Sequence, residues 1–389
     1  MIEVFAAFLK LGLTSFGGPI AHLGYFREEF VVRRKWVNDE AFADIVALCQ
    51  FLPGPASSQV GFALGISRGR GLLGGIAAWT AFTLPSAILL LAFALGAANF
   101  SGPVGQGIIH GLKLVAVAVV AQALWGMART LTPDRTRIGI ALAAVGGVVV
   151  LDTAIGQIGA IAGGAVLGIL LCRDTNAPTG HHLDFQVGHR GALAALALFA
   201  ILFLVPPLLY GTGNQAMRLF EAFYRSGSLV FGGGHVVLPL LETAVVSPGW
   251  VSREAFLTGY GATQAVPGPL FTFAAYLGAV MVPAPSGVTG AVIALIALFL
   301  PGLLLVYGTL PFWDGLRRRP TAQAAMAGAN ASVVGILGAA FYNPVWTSAV
   351  LVPLDFFLVL AGFLLLTVWK APAWTVVLAL AAAGAISAI

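Results

Sequence analysis

The chain has 389 residues, 59% of them hydrophobic and only 9% charged, with a formal net charge of +5. Soluble domains carry roughly 25% charged residues, so this composition excludes a water-soluble enzyme or nucleic-acid binder and places the chain in a bilayer. Its basic residues gather in short loops, where they set orientation and call for no nucleic-acid partner.

Met1-Ile2-Glu3 opens directly into an amphipathic helix, without the basic start and small-residue cleavage site of a secretory signal, so the first helix is expected to be retained. Segment 4–25 is apolar but interrupted by Phe16-Gly17-Gly18-Pro19, and 42–66 is interrupted by Leu52-Pro53-Gly54-Pro55. A span needs about 20 largely apolar residues, and 72–98 and 104–128 meet that length. Residues 173–190 form the longest polar stretch and read as a cytoplasmic linker; a His pair among its His181, His182 and His189 could hold a metal, but adjacent residues point differently and no ligand set at metal-binding spacing accompanies them, so no metal is expected. The hydrophobic stretch 191–211 has no partner in the first half. Segments 217–240 and 255–280 are again broken by Gly and Pro, and 288–312, 346–368 and 373–388 meet or approach spanning length. About thirteen hydrophobic elements result. Cys49 and Cys172, at unrelated spacing in apolar surroundings, suggest neither a metal site nor a disulfide.

The chain contains itself twice. Residues 5–18 and 220–233 share seven identities in fourteen positions, and 36–55 and 250–269 share nine in twenty. Basic residues cluster at Arg27/Arg33/Arg34/Lys35, Arg68/Arg70, Arg129/Arg135/Arg137, Arg173/Arg190, Arg317/Arg318/Arg319 and Lys370, which should face the cytoplasm. The second-half counterparts of the first two clusters, 242–254 and Pro283-Ala-Pro285-Ser-Gly287, carry one Arg between them. The same element is therefore basic in one half and not in the other, the pattern of repeats inverted about an in-plane pseudo-two-fold axis. We expect an all-α polytopic membrane protein with two inverted-topology repeats, 1–172 and 212–389, the linker 173–190, and an orientation-reversing helix over 191–211. The charge map closes best if the four broken segments each enter and leave on one side, as re-entrant elements at the repeat interface.

Those breaks carry the chemistry. Irregular backbone is tolerated in a membrane only where it faces protein or a wet cavity. Gly17 and Gly18, with Gly232 and Gly233, remove side chains where the backbone unwinds. Free amides at a half-helix N-terminus would hold an anion, whereas small residues also simply permit close packing. Pro53-Gly54-Pro55 and Pro267-Gly268-Pro269 cannot sit in a regular helix without freeing carbonyls. Gln50 and Gln264 precede those breaks and could bind an oxyanion or satisfy the freed backbone. Lys10 and Arg225 occupy equivalent positions in apolar helices, there to attract an anion or to snorkel to the interface. Lys113 lies within the run Leu112-Lys-Leu-Val-Ala and points to function, so Lys113→Ala is expected to abolish transport. His22 and His235 could carry a proton or be structural. Asp44, Glu221 and Glu242 could relay protons or pair with Lys10, Arg225 or Lys113.

The motifs Phe-Gly-Gly-Pro-x-Ala-His (16–22), Phe-Leu-Pro-Gly-Pro-x-x-x-Gln (51–59) and Phe-Gly-Gly-Gly…Gln-Ala-Val-Pro-Gly-Pro (231–269) resemble the chromate transporter family over essentially the whole chain. The resemblance is to its long, two-domain bacterial type. It implies export of chromate from the cytoplasm across the inner membrane, with Gly17, Gly18, His22, Pro53, Gly54, Pro55, Gln59, Gly232, Gly233, Pro267, Gly268 and Pro269 as motif positions. Position 273, aligned with Gln59, is Phe, which favours an asymmetric path. Sulfate shares chromate's charge and tetrahedral shape and is expected to compete. A passive anion channel would use the same breaks. No Walker motif, Gly-x-Ser-x-Gly or His-Glu-x-x-His occurs, so neither ATP-driven transport, nor an enzyme, nor a cofactor is expected. Besides the oxyanion, the expected partners are lipid and, from base rates, a second copy in a homodimer.

Overall fold

A computed structural model describes the chain apart from residues 17, 70, 97–101, 152, 173–186, 209–213, 232, 318 and 389. Gly17, Gly232, His181 and His182 thus lie outside the described residues. Every regular element among the described residues is helical. The first half runs α1 (Ile2–Thr14), α2 (Gly18–Arg27), a π-helical turn (Glu28–Arg33), α3 (Asp39–Phe51), α4 (Ala56–Arg68), α5 (Leu72–Gly96), α6 (Pro103–Leu131), α7 (Arg135–Val150) and α8 (Ala154–Leu171). The helix α9 (His189–Leu208) follows. The second half runs α10 (Gln215–Ser228), a 3-10 turn (Gly234–Val236), α11 (Val237–Leu241), a π-helical turn (Glu242–Val246), α12 (Arg253–Thr263), a 3-10 turn (Leu270–Thr272), α13 (Phe273–Val280) and α14 (Gly287–Thr309). It ends with α15 (Trp313–Arg317), α16 (Pro320–Ala340), α17 (Thr347–Ala349), α18 (Pro353–Thr367) and α19 (Ala373–Ser387).

The repeat seen in the residues is repeated in the local structure. Asn38 caps α3 by accepting from the Ala41 amide, and Ser252, at the same place in the second copy, caps α12 by accepting from the Ala255 amide. Both halves place a π-helical turn ahead of that cap, and both long helices that follow the breaks, α5 and α14, carry an internal proline, Pro85 and Pro301.

Five helices among the described residues are long and apolar enough to cross a membrane: α5, α6, α9, the α14 segment and the α16 segment. Only 11% of the α9 window is buried: it packs on α14 and α10 along one side and is the least enclosed of the five. The apolar run 346–368 is not one helix, because backbone at Val350–Val352 leaves helical geometry. Asp355 restarts it: one carboxylate oxygen accepts from the Leu351 and Val352 amides at 2.9 and 3.1 Å, and the other meets His110 Nε2 at 2.7 Å. Conversely, α16 is polar enough at Gln323 and Asn330 to be missed as an apolar run, yet it lies at the centre of the packing.

The two halves do not sit side by side; they exchange helices. In each half the first helix and the fourth pack on the long proline-bearing helix, α1 and α4 on α5, α10 and α13 on α14. The closing helices cross over instead. α7 and α8 pack on α16 of the second half, while α18 and α19 pack on α6 of the first. Glycines permit these crossings: Gly168 abuts Gly328 and the Ala324 carbonyl, and its counterpart Gly384 abuts Gly111 and the Gly107 carbonyl. Each half is thus closed by helices of the other.

Candidate functional site

The four breaks meet where the halves interlock. α1 ends at Thr14 and the chain is extended at Ser15, with Gly18 at φ +79° opening α2. The second break passes through Leu52 and Gly54, at φ +127°, before Pro55 caps α4. In the second half Gly233 and Gly268 stand at φ +150° and +101° ahead of the two 3-10 turns. An L side chain rarely adopts these angles, which is why glycine recurs at them.

The breaks are latched to one another by exchanged hydrogen bonds. The Gly54 amide donates to the Val230 carbonyl at 2.7 Å, and the Gly268 amide donates to the Ser15 carbonyl at 2.8 Å. Gly54 and Gly268 are equivalent, as are Ser15 and Val230, so each proline-glycine-proline break of one half is tied to the glycine break of the other. Pro19 and Gly234 are also equivalent positions, and a Cβ on Gly234 would lie 3.2 Å from the Pro19 ring. Two positions related by the repeat thus lie side by side next to the latch.

His22 and Gln59 complete the latch from the first half. His22 is fully buried; its Nε2 lies 3.2 Å from the Ser15 carbonyl and its Nδ1 3.3 Å from Ser57 Oγ. A carbonyl only accepts, so Nε2 carries a proton, and in the neutral ring Nδ1 accepts from the Ser57 hydroxyl. Gln59 Nε2 donates to the Pro53 carbonyl at 2.9 Å and the Gly302 carbonyl at 3.2 Å, which satisfies backbone that the prolines set free. Its Oε1 has no protein partner, and neither do Ser15 Oγ, Ser58 Oγ or Thr83 Oγ1 in the segments around it. Buried polar atoms are nearly always paired, so this cluster is suited to a polar guest. In the second half Phe273 takes the place of Gln59 and packs edge-on against Phe256 and Tyr260 instead.

Not every sequence candidate reaches the latch. Gln50 is exposed, and Gln264 turns back on the Tyr260 carbonyl of its own helix at 3.4 Å. Pro267 and Pro269 flank Gly268, as Pro53 and Pro55 flank Gly54. His235 Nδ1 sits 2.6 Å from Tyr260 Oη. Lys113 is 12% exposed and reaches Glu254, itself 61% exposed, at 3.1 Å. This ion pair joins α6 to the first turn of α12, away from the breaks, and half-solvated pairs of this kind contribute at most about 1 kcal/mol. Lys113→Gln is therefore expected to leave transport within about threefold of wild type; complete loss in a vesicle uptake assay would restore a direct role for this lysine.

A cavity of about 650 Å³ lies in the second half, lined by Gln157 of α8, Arg218, Glu221, Arg225 and Leu229 of the α10 segment, Thr243 and Trp250. Leu229 is one residue from the latched Val230 carbonyl. Arg218 and Arg225, two turns apart, share one face of α10, and Arg225 pairs with Glu221 between them. Gln157 donates to Thr243 Oγ1 at 2.7 Å and to the Pro239 carbonyl at 3.2 Å. Arg218 and Gln157 escaped the sequence reading, although the seven-residue spacing of Arg218 from Arg225 could have revealed the first.

Lys10, the equivalent of Arg225, stands elsewhere. It meets Glu29 at 3.2 Å, and the same carboxylate accepts from Arg33 at 2.8 Å and Arg34 at 2.7 Å. Burial alone would raise the Glu29 carboxyl, but hydrogen bonds from Arg34 and Lys10 and the charges of Lys10 and Arg33 outweigh it and hold the group below its ordinary range. Its stabilising contribution is accordingly complete above the ordinary carboxylate range and is lost only as pH falls through the lowered value. Asp44 accepts from Trp313 Nε1 at 3.4 Å, and Glu242 lies 3.8 Å from Arg253. Cys49 and Cys172 are free and buried.

The chromate transporter family profile matches residues 2–169 and again 217–385, one match per half. The chain is 30% identical over 396 aligned residues to a chromate transport protein of Pseudomonas aeruginosa, covering 98% of this chain and 90% of that protein. It is 26% identical to a chromate transport protein of Cupriavidus metallidurans, over 85% of this chain and 79% of the relative. An uncharacterized transporter of Methanocaldococcus jannaschii is 25% identical over 86% of this chain and 82% of its own length. No solved structure matches. These relatives are named as transporters, not enzymes, and the spans found above make this chain a multi-pass membrane protein. Two family matches that divide the chain where its fold divides show that it belongs to the chromate transporter family.

Proposed function

We propose that this chain is a secondary transporter that carries chromate, and with it sulfate-like tetrahedral oxyanions, out of the cytoplasm across the inner membrane. The observation that carries this reading is the latch: four breaks, two from each half, tied by exchanged hydrogen bonds, with a cavity lined by Arg218, Arg225 and Glu221 that reaches Leu229, the residue before the latched Val230. α2 and α4 begin at the breaks, which turns the positive ends of their dipoles toward the same place, and unpartnered serine and threonine hydroxyls there can donate to oxyanion oxygens. The Gly54 and Gly268 amides are engaged in the latch, so anion contacts fall to the hydroxyls and to the cations of the cavity. Relatives named chromate transport proteins supply the substrate.

The basic clusters at 27–35 and 68–70, which the equivalent loops 242–254 and 283–287 lack, support inverted halves, and exchange of such repeats about a fixed site gives alternating access. An inside-negative potential favours departure of a dianion by about 4.6 kcal/mol at 100 mV, twice the value of about 2.3 for one charge, so export needs no ATP. Labelled chromate uptake into everted vesicles under an imposed potential tests this. Saturable uptake that sulfate blocks and that shows counter-transport is expected. Non-saturating flux without counter-transport would favour a passive anion channel, and absence of chromate flux would overturn the substrate.

A further inference from the structure

The two halves treat one and the same region differently. The 5–18/220–233 repeat for the first helices, and the π-helical turns at Glu28 and Glu242 with the tryptophans at Trp36 and Trp250 for the segment after the break, bring the lining of the second-half cavity onto named residues of the first half. Arg218 falls on Glu3, Arg225 on Lys10, Thr243 on Glu29, Ser247 on Arg33, Pro248 on Arg34, and Trp250 on Trp36. In the second half these positions line open space. In the first half they close on one another. Glu29, 5% exposed, receives Lys10 and Arg33 on one carboxylate oxygen and Arg34 on the other. Around it, Glu3 accepts from Arg68 at 3.1 Å and from Trp36 at 3.2 Å, and the Arg34 and Arg68 guanidiniums lie 5.6 and 5.5 Å from the Trp36 ring.

We infer that the first half holds a second oxyanion vestibule, built from Lys10, Arg33 and Arg34, and that the Glu29 carboxylate plugs it by standing where a tetrahedral dianion would bind. The inference rests on the oxyanion reading above and deepens it. Three cationic groups converge on two oxygens of a single negative charge, and charge-assisted bonds to arginine suit carboxylate, sulfate and chromate alike. A dianion brings two further oxygens and one more charge, so with the Glu29 carboxylate removed it can engage all three donors. The equivalent second-half position is Thr243, whose hydroxyl is engaged with Gln157 and cannot reproduce an anion. Arg225 is paired with Glu221 of its own helix, which leaves the space beside them open, whereas the equivalent first-half cluster is shut from within. The plug gives an alternating-access device a ready reason to keep one side closed while the other is filled.

Sulfate binding to the detergent-solubilised full chain, measured by isothermal titration, tests this with Glu29→Gln and with Glu29→Thr, which installs the second half's residue. Wild type should bind one sulfate per chain in the cavity, and both variants should bind a second one. Hydrogen exchange of the wild-type protein needs no variant to fold. Sulfate at concentrations that saturate the cavity should protect residues 242–250 and leave 28–36 unchanged. One sulfate in wild type and still one in the variants, or equal protection of both segments in wild type, would overturn the plug and leave the transport reading standing. No sulfate binding to any form would overturn both.

Discussion

Gly54→Ala should cut chromate uptake at least about 30-fold while the protein still reaches the membrane in normal amount. Gly54 stands at φ +127°, and a Cβ there would lie 2.8 Å from Gln59 Nε2 and 3.1 Å from Gly302 Cα. Holding an L residue at such an angle costs about 1–3 kcal/mol, and the overpacking costs about as much again. The protein escapes both by letting the break relax, and relaxation withdraws the amide from the Val230 carbonyl. The mirror substitution, Gly268→Ala, carries the same backbone penalty, but its Cβ would meet the Ser86 hydroxyl at 2.8 Å, a group that can turn away. Its loss should be the smaller of the two. Uptake into everted vesicles, normalised to inserted protein, checks both; normal uptake in Gly54→Ala would remove the latch from the transport cycle.

Gly168→Leu and Gly384→Leu should each lower the recovery of monodisperse protein about tenfold or more, and to a similar degree. Both glycines face backbone of the opposite half, the Ala324 carbonyl for Gly168 and the Gly107 carbonyl for Gly384. Backbone cannot rotate out of the way, so the helices must separate, at a cost at or above the usual 1–3 kcal/mol for overpacking, roughly. Gly163, on the same helix as Gly168, has open space at its Cβ and is the control. Gel filtration after solubilisation reads the result. Full recovery of Gly384→Leu would mean that α19 is dispensable to the assembly.

Much of this fold is written openly in the residues. The glycine and proline breaks fall where the self-similarity puts them, because a helix cannot absorb Pro53-Gly54-Pro55 and no neighbouring polar residue hides that fact. The span 346–368 misled, since Asp355 looks like an isolated acid in an apolar run until its carboxylate is seen to cap the restarted helix. What the residues could not disclose is partnership. Val230 and Gly302 contribute only carbonyls to the latch, and a carbonyl has no signature in a sequence. Gln59 was visible as a motif position, yet its bond to Gly302 joins residues 243 positions apart. The exchange of closing helices was equally hidden, because a small-residue face shows that a helix will be approached closely without saying by which neighbour.

That exchange has a consequence for the order in which the protein is made. Gly168 emerges from the ribosome 160 residues ahead of Gly328, the position it must pack against. At about 5–20 residues per second the interval is roughly 8–32 s. Throughout it α7 and α8 must wait in the bilayer with their contact face uncovered, while α6 waits longer still for α19. The first half, though first to be synthesised, is unable to finish itself. Completion is a joint event that waits on α19.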